Sequence, residues 1–105
     1  MSMTELEPRA DEAAELLTAM ANPKRLLILC HLLEQERSVA ELSGLVDLAQ
    51  SPLSQHLAKL RALKLVATRR EGQSVFYRVA SPEVTQVLET LYGIYCAPQK
   101  KKRAR

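Results

Sequence analysis

Four helix-start signals punctuate this chain, and two of them dictate what lies between. Ser38-Val-Ala-Glu41 places a hydroxyl at the cap position and a carboxylate three residues on. That pair satisfies the open amides of a helix N-terminus reciprocally. Ser51-Pro52 repeats the start signal, with a proline suited to the first turn. The space between them holds one short helix, to about Val46, and a tight turn. The second helix places Leu53, Leu57 and Leu60 on one side and ends near Ala62. On the helical period, Ser51, Gln55 and Lys59 then face outward, with Ser54 and His56 on the shoulders. A helix, a short turn and a basic helix make a helix-turn-helix arrangement.

The flanks extend this unit. In 11–21, Ala13, Leu16, Leu17 and Met20 share one helical face. Asn22-Pro23 stops that helix and starts another, through about Leu33, with asparagine as cap and proline at the first position. After the basic helix, two β-prone runs within Val66–Val79 flank Glu71-Gly72, a hairpin signal. A hairpin there is a wing. Ser81-Pro82 opens a last helix with apolar Val84, Val87, Leu88, Leu91 and Tyr95. The expected fold is mainly α with a small β-hairpin, a winged helix-turn-helix. Its domain is expected over 11–97, between an N-terminal extension, 1–10, and a flexible basic tail, 98–105.

Charge is distributed unevenly. Residues 1–49 hold four basic and nine acidic side chains, whereas 50–79 hold six basic and one acidic. Residues 80–99 carry two acids and no base, and 100–105 carry five bases. A basic middle between acidic flanks directs one surface at a polyanion, with double-stranded DNA the expected partner. The tail adds phosphate attraction or simply solubilises the chain end. No stretch approaches the roughly 18 apolar residues of a membrane span, so no membrane partner is expected. MSMTELEPRADE lacks the basic start and apolar core of a secretory signal. Two cysteines without an export signal imply the cytoplasm, where a disulfide is transient.

Glutamine and serine read base edges in the major groove, and Lys59 and Arg61 suit phosphates or guanine. Arg69, Arg70 and Gln73 place the wing near the backbone or minor groove. The competing reading is a solvated polar helix beside an exposed hairpin. It accounts for any one of these residues more easily than for the whole set. NPKRLLIL, SVAELSGLVDLAQSPLSQHLAKLR and REGQSVFYRV together resemble the ArsR/SmtB family of bacterial winged-helix repressors, over roughly residues 12–96. That resemblance implies a homodimer joined through its first and last helices, reading an imperfect palindrome. It also implies that Gln50, Ser51, Ser54, Gln55 and His56 stand at DNA-contacting positions. Lys64 departs from the pattern, because a glycine commonly ends the recognition helix.

The signal is a separate question. A thiolate metal site needs clustered cysteines, and SVAELSGLV has none. The last helix has no His or Asp, and Glu83 and Glu89 are badly spaced to pair. No metal or other cofactor is expected. Three scattered glycines form no phosphate-cradling loop, and no nucleophile–base set is evident, so no enzyme is expected. Cys30, in LLILCHLL, reads on its own as core packing, since free cysteine is often buried. Cys96 changes that weighing. The pair resembles the BigR/SqrR/HlyU-like branch of the family, which implies a Cys30–Cys96 dithiol switch. The modifying signal would be a persulfide, a polysulfide or another oxidant, with Cys96 attacking first. A redox-silent or metal-responsive repressor, a protein-interaction module and a thiol peroxidase remain as alternatives.

Overall fold

The computed structural model describes residues 2–96. The helices are α1 (Met3–Leu6), α2 (Ala10–Met20), α3 (Pro23–Glu34), α4 (Val39–Val46), α5 (Gln50–Ala62) and α6 (Pro82–Tyr95). The strands are β1 (Arg37–Ser38), β2 (Val66–Glu71) and β3 (Ser74–Val79). A 3-10 turn, Glu7–Arg9, joins α1 to α2, so much of the N-terminal extension is helical. The end of the domain at residue 97 and the basic tail, 98–105, fall outside the described residues.

Three of the four start signals read from the sequence act as caps. The Asn22 side chain accepts from the amides of Lys24 and Arg25, both at 3.0 Å. Ser38 and Glu41 form the full reciprocal cap of α4. Ser81, itself buried, accepts from the Val84 amide at 3.1 Å. The exception is α5. It begins at Gln50 behind Ala49, whose side chain caps nothing, so Ser51 lies inside the first turn instead of capping it.

Helix ends are closed by cations from neighbouring elements, six to 22 residues away. Lys24 Nζ donates to the Val46 carbonyl at the end of α4, at 2.6 Å. Arg25 Nε donates to the Ala19 carbonyl at the end of α2, also at 2.6 Å. Both side chains come from the first turn of α3. Arg37 Nε closes α3 on the His31 carbonyl at 3.3 Å.

The hairpin pairs Val66 with Val79 through Glu71 with Ser74. The two-residue turn is therefore Gly72-Gln73, one residue later than Glu71-Gly72. Gly72, at φ 63°, supplies the positive φ that such turns require. β1 adds a third antiparallel strand on β3, pairing Arg37 with Tyr77 and Ser38 with Phe76. Leu53, Leu57 and Leu60 of α5 join Ile28, Leu29, Leu42, Val46, Val66, Val84 and Leu88 in one core.

Two residues of the apolar helix faces read from the sequence are exposed. Leu17 is 56% exposed and Tyr95 is 75% exposed, as are the neighbouring Tyr92 and Ile94 at more than half. The apolar faces of α2 and α6 are wider than the core beneath them.

The residue where a glycine was expected, Lys64, has a left-handed backbone at φ 64°. Lys64 N–H reaches the Arg61 carbonyl at 2.9 Å, and Leu65 N–H reaches the Leu60 carbonyl at 3.0 Å. That is the paired Schellman closure of a helix, built here without glycine. A left-handed L-residue costs about 1–2 kcal/mol, and a new glycine returns part of that as unfolded-state entropy. Lys64→Gly is expected to stabilise the protein by about 0.5–1 kcal/mol. Thermal melting at fixed protein concentration checks this through a rise in midpoint.

Candidate DNA-binding face and thiol pair

α5 buries its leucines and leaves Gln50, Ser51, Ser54, Gln55, Lys59 and Arg61 exposed. Gln50, Ser51, Ser54, Gln55 and Ala58 line one shallow open surface along the helix. Because Ala49 offers no cap, the Gln50 and Ser51 amides at that end receive no side-chain acceptor. An open helix N-terminus favours an anion such as phosphate. The sequence carries the signal for this feature, an alanine where a capping residue would stand.

His56 is placed differently. It is half-buried, and its Nδ1 lies 3.4 Å from Arg25 Nη1. With an arginine donating to Nδ1, the neutral ring carries its proton on Nε2. Arg25 therefore links the end of α2 to the recognition helix. Burial first, then the Arg25 and Lys59 charges, push the His56 pKa below its usual value.

The wing arginines also differ. Arg69 donates to Glu36 and to Glu71, whereas Arg70 has no ion pair among the described residues. Gln73 sits exposed in the hairpin turn.

The cysteines lie apart from this face. α3 turns Ile28, Leu29 and Leu32 into the core and leaves Cys30 exposed. Cys30 is therefore not a core-packing residue of this chain. Cys96 is exposed at the C-cap of α6. Partial burial pushes the Cys30 thiol up, followed by a thiolate at Cys96 and the Glu34 carboxylate. The two residues are far apart in sequence, one on α3 and one at the end of α6. Gly93, three residues before Cys96 on α6, has open space where a side chain would project.

Among the described residues, no three His, Cys, Asp or Glu side chains gather as a metal site. No single helix there is long and apolar enough to cross a membrane.

Comparison with known proteins accounts for this arrangement. The model of the bacterial regulatory protein arsR family matches residues 22–68, from the cap of α3 into β2. Over 96 residues the chain is 52% identical to the transcriptional activator HlyU of Vibrio cholerae, covering 91% of this chain and 89% of that one. The chain belongs to the ArsR family. Its fold agrees with solved ArsR-type structures. The transcriptional repressor BigR from Xylella fastidiosa superposes with a TM-score of 0.87 at 40% identity, covering 93% of this chain and all of that one. Reduced HlyU from Vibrio cholerae superposes with a TM-score of 0.82 at 53% identity, covering 88% and 97%. The resemblance read from the motifs is therefore correct at the level of family and fold. These ArsR-family relatives are regulators of transcription, not enzymes.

The His56 environment generates a pH prediction. The unfolded chain takes up this proton more readily than the folded one. Stability from the neutral ring is therefore present above the ordinary value of 6.5. It is lost as pH falls through that value toward the lower folded one. Urea unfolding at pH 7.5 and 5.5 is expected to show a larger acid loss in wild type than in His56→Gln. Equal losses would mean that His56 titrates as it does in the unfolded chain.

Proposed function

We propose that this ArsR-family protein is a homodimeric, DNA-binding transcriptional repressor whose operator affinity is set by a Cys30–Cys96 dithiol. The observation that carries the DNA-binding reading is the exposed stripe Gln50, Ser51, Ser54, Gln55 and Lys59 on a helix anchored by three buried leucines. Short amide and hydroxyl side chains are suited to base edges, and Lys59, Arg70 and the open end of α5 to phosphates. Exposed Leu17, Tyr92, Ile94 and Tyr95 support a dimer, because they belong to the first and last long helices and lack cover in one chain. A dimer sets two recognition helices about one DNA turn apart, so the operator is an imperfect palindrome. The relatives' names differ in sign, activator for HlyU and repressor for BigR. Repression is the reading adopted for this chain.

The thiol reading is supported by two free, exposed cysteines, one on α3 and one at the end of α6. Cys96, exposed at the end of α6, attacks first, and the raised Cys30 pKa lowers the thiolate fraction of Cys30. The Cys96 thiolate takes the outer sulfur of a persulfide RSSH, releasing RS⁻ and forming a Cys96 persulfide. The Cys30 thiolate then attacks the inner sulfur of that group. It forms the Cys30–Cys96 disulfide and expels HS⁻, so two thiols are oxidised and RSSH is reduced to RSH and hydrogen sulfide. Further sulfane sulfur lengthens the bridge to a polysulfide. The link joins α3 to the end of α6 within one subunit.

Two experiments test these statements. In the first, a duplex enriched from a randomised pool serves as the operator. Gln55→Ala is expected to lose about 1–3 kcal/mol on that duplex and little on random DNA. Lys59→Ala is expected to weaken both and to flatten the salt dependence. Equal losses for Gln55→Ala on both duplexes would remove it from base reading. In the second, intact mass after persulfide treatment is expected to show a bridged chain in wild type. Cys30→Ser and Cys96→Ser are expected to give none within a subunit. A bridge found only between subunits, or in either variant, would contradict the pairing.

A further inference from the structure

Arg69 already has partners in the DNA-free protein. Its Nε donates to both carboxylate oxygens of Glu36, at 2.9 and 3.0 Å, and its Nη1 donates to Glu71 at 2.9 Å. The guanidinium lies 4.9 Å from the centre of the Phe76 ring, its cross-strand neighbour. Glu36 is 33 residues away in sequence, in the link between α3 and β1. The contact therefore closes the wing onto the C-terminal end of α3.

Strand parity separates the two wing arginines. Val66 is buried in the same cluster as Leu53, Leu57 and Leu60 of α5. Side chains alternate along a strand, so Thr68 and Arg70 share the face of Val66. Ala67, Arg69 and Glu71 take the other face. Arg69 thus points away from the side of the sheet on which the recognition helix packs.

We infer that Arg69 is a positioning residue and not a phosphate ligand. With Glu36 it pins the wing to the end of α3 and so sets where Arg70 and Gln73 meet DNA. This rests on the DNA-binding reading above. Two carboxylates already neutralise the Arg69 charge on its Nε and Nη1 sides, which weakens its pull on a phosphate. An exposed ion pair has little worth as stability. Its effect here lies in the orientation of the hairpin.

The test is the affinity for the duplex enriched by the wild-type protein, measured across a salt series. Wild type, Glu36→Gln and Arg69→Gln are compared, with circular dichroism to confirm folding. Removing a carboxylate near DNA strengthens binding by charge alone, so a weakening by Glu36→Gln is diagnostic. Positioning predicts that Glu36→Gln weakens binding about three- to five-fold, the scale of one lost ion pair. It predicts that Arg69→Gln also weakens binding while the slope of log affinity against log salt stays at the wild-type value. Unchanged or tighter binding by Glu36→Gln would overturn the inference. So would a slope reduced by about 0.9 for each arginine removed in Arg69→Gln. Wild type that prefers no duplex over random DNA would overturn the DNA-binding reading, and this inference with it.

Discussion

The first turn of α3 holds three helix ends. Asn22 caps α3 itself, Lys24 closes α4 and Arg25 closes α2. Each carbonyl left open at a partly buried helix end would cost about 1–3 kcal/mol. Four consecutive residues, Asn22-Pro-Lys-Arg25, thereby fix where α2 and α4 stop. Arg25 then reaches on to His56, so the recognition helix is referenced to the same turn.

α3 is consequently shared by every functional part of the chain. Its start contacts the ends of α2 and α4 and a side chain of α5. Its middle exposes Cys30 on the face opposite Ile28, Leu29 and Leu32. Just beyond its end, Glu36 holds Arg69 of the wing. In the proposed switch, a sulfur bridge from Cys30 to Cys96 would act on a helix already connected to both DNA-facing elements. Such a bridge alters operator affinity only as far as its two states differ in affinity for DNA.

The features legible in the sequence are local ones. The caps at Asn22, Ser38 with Glu41, and Ser81 act within one turn, and each stands as its residues imply. The leucine spacing in α5 also carries through, because one buried face needs only the helical period. α5 itself begins a residue before the Ser51-Pro52 signal, since Ala49 supplies no cap and the helix starts without one. The Lys24–Val46, Arg25–His56 and Arg69–Glu36 contacts are not legible, because their partners are brought close only by the fold. Lys64 shows that a helix closure can form against residue preference when the surrounding chain enforces it. Leu17 and Tyr95 belong to apolar faces by periodicity, yet one chain does not cover them. Periodicity reports that a face is apolar, not which surface covers it.

The most direct test of the account is operator affinity measured on two preparations of wild-type protein, fully reduced and bridged by an organic persulfide. Intact mass is taken on each sample, and Cys30→Ser is carried through the same treatment. The account predicts a large loss of affinity in the bridged sample and no loss in Cys30→Ser. Equal affinity in the reduced and verified bridged samples would contradict it, and would leave an ArsR-family DNA-binding protein that answers to some other signal.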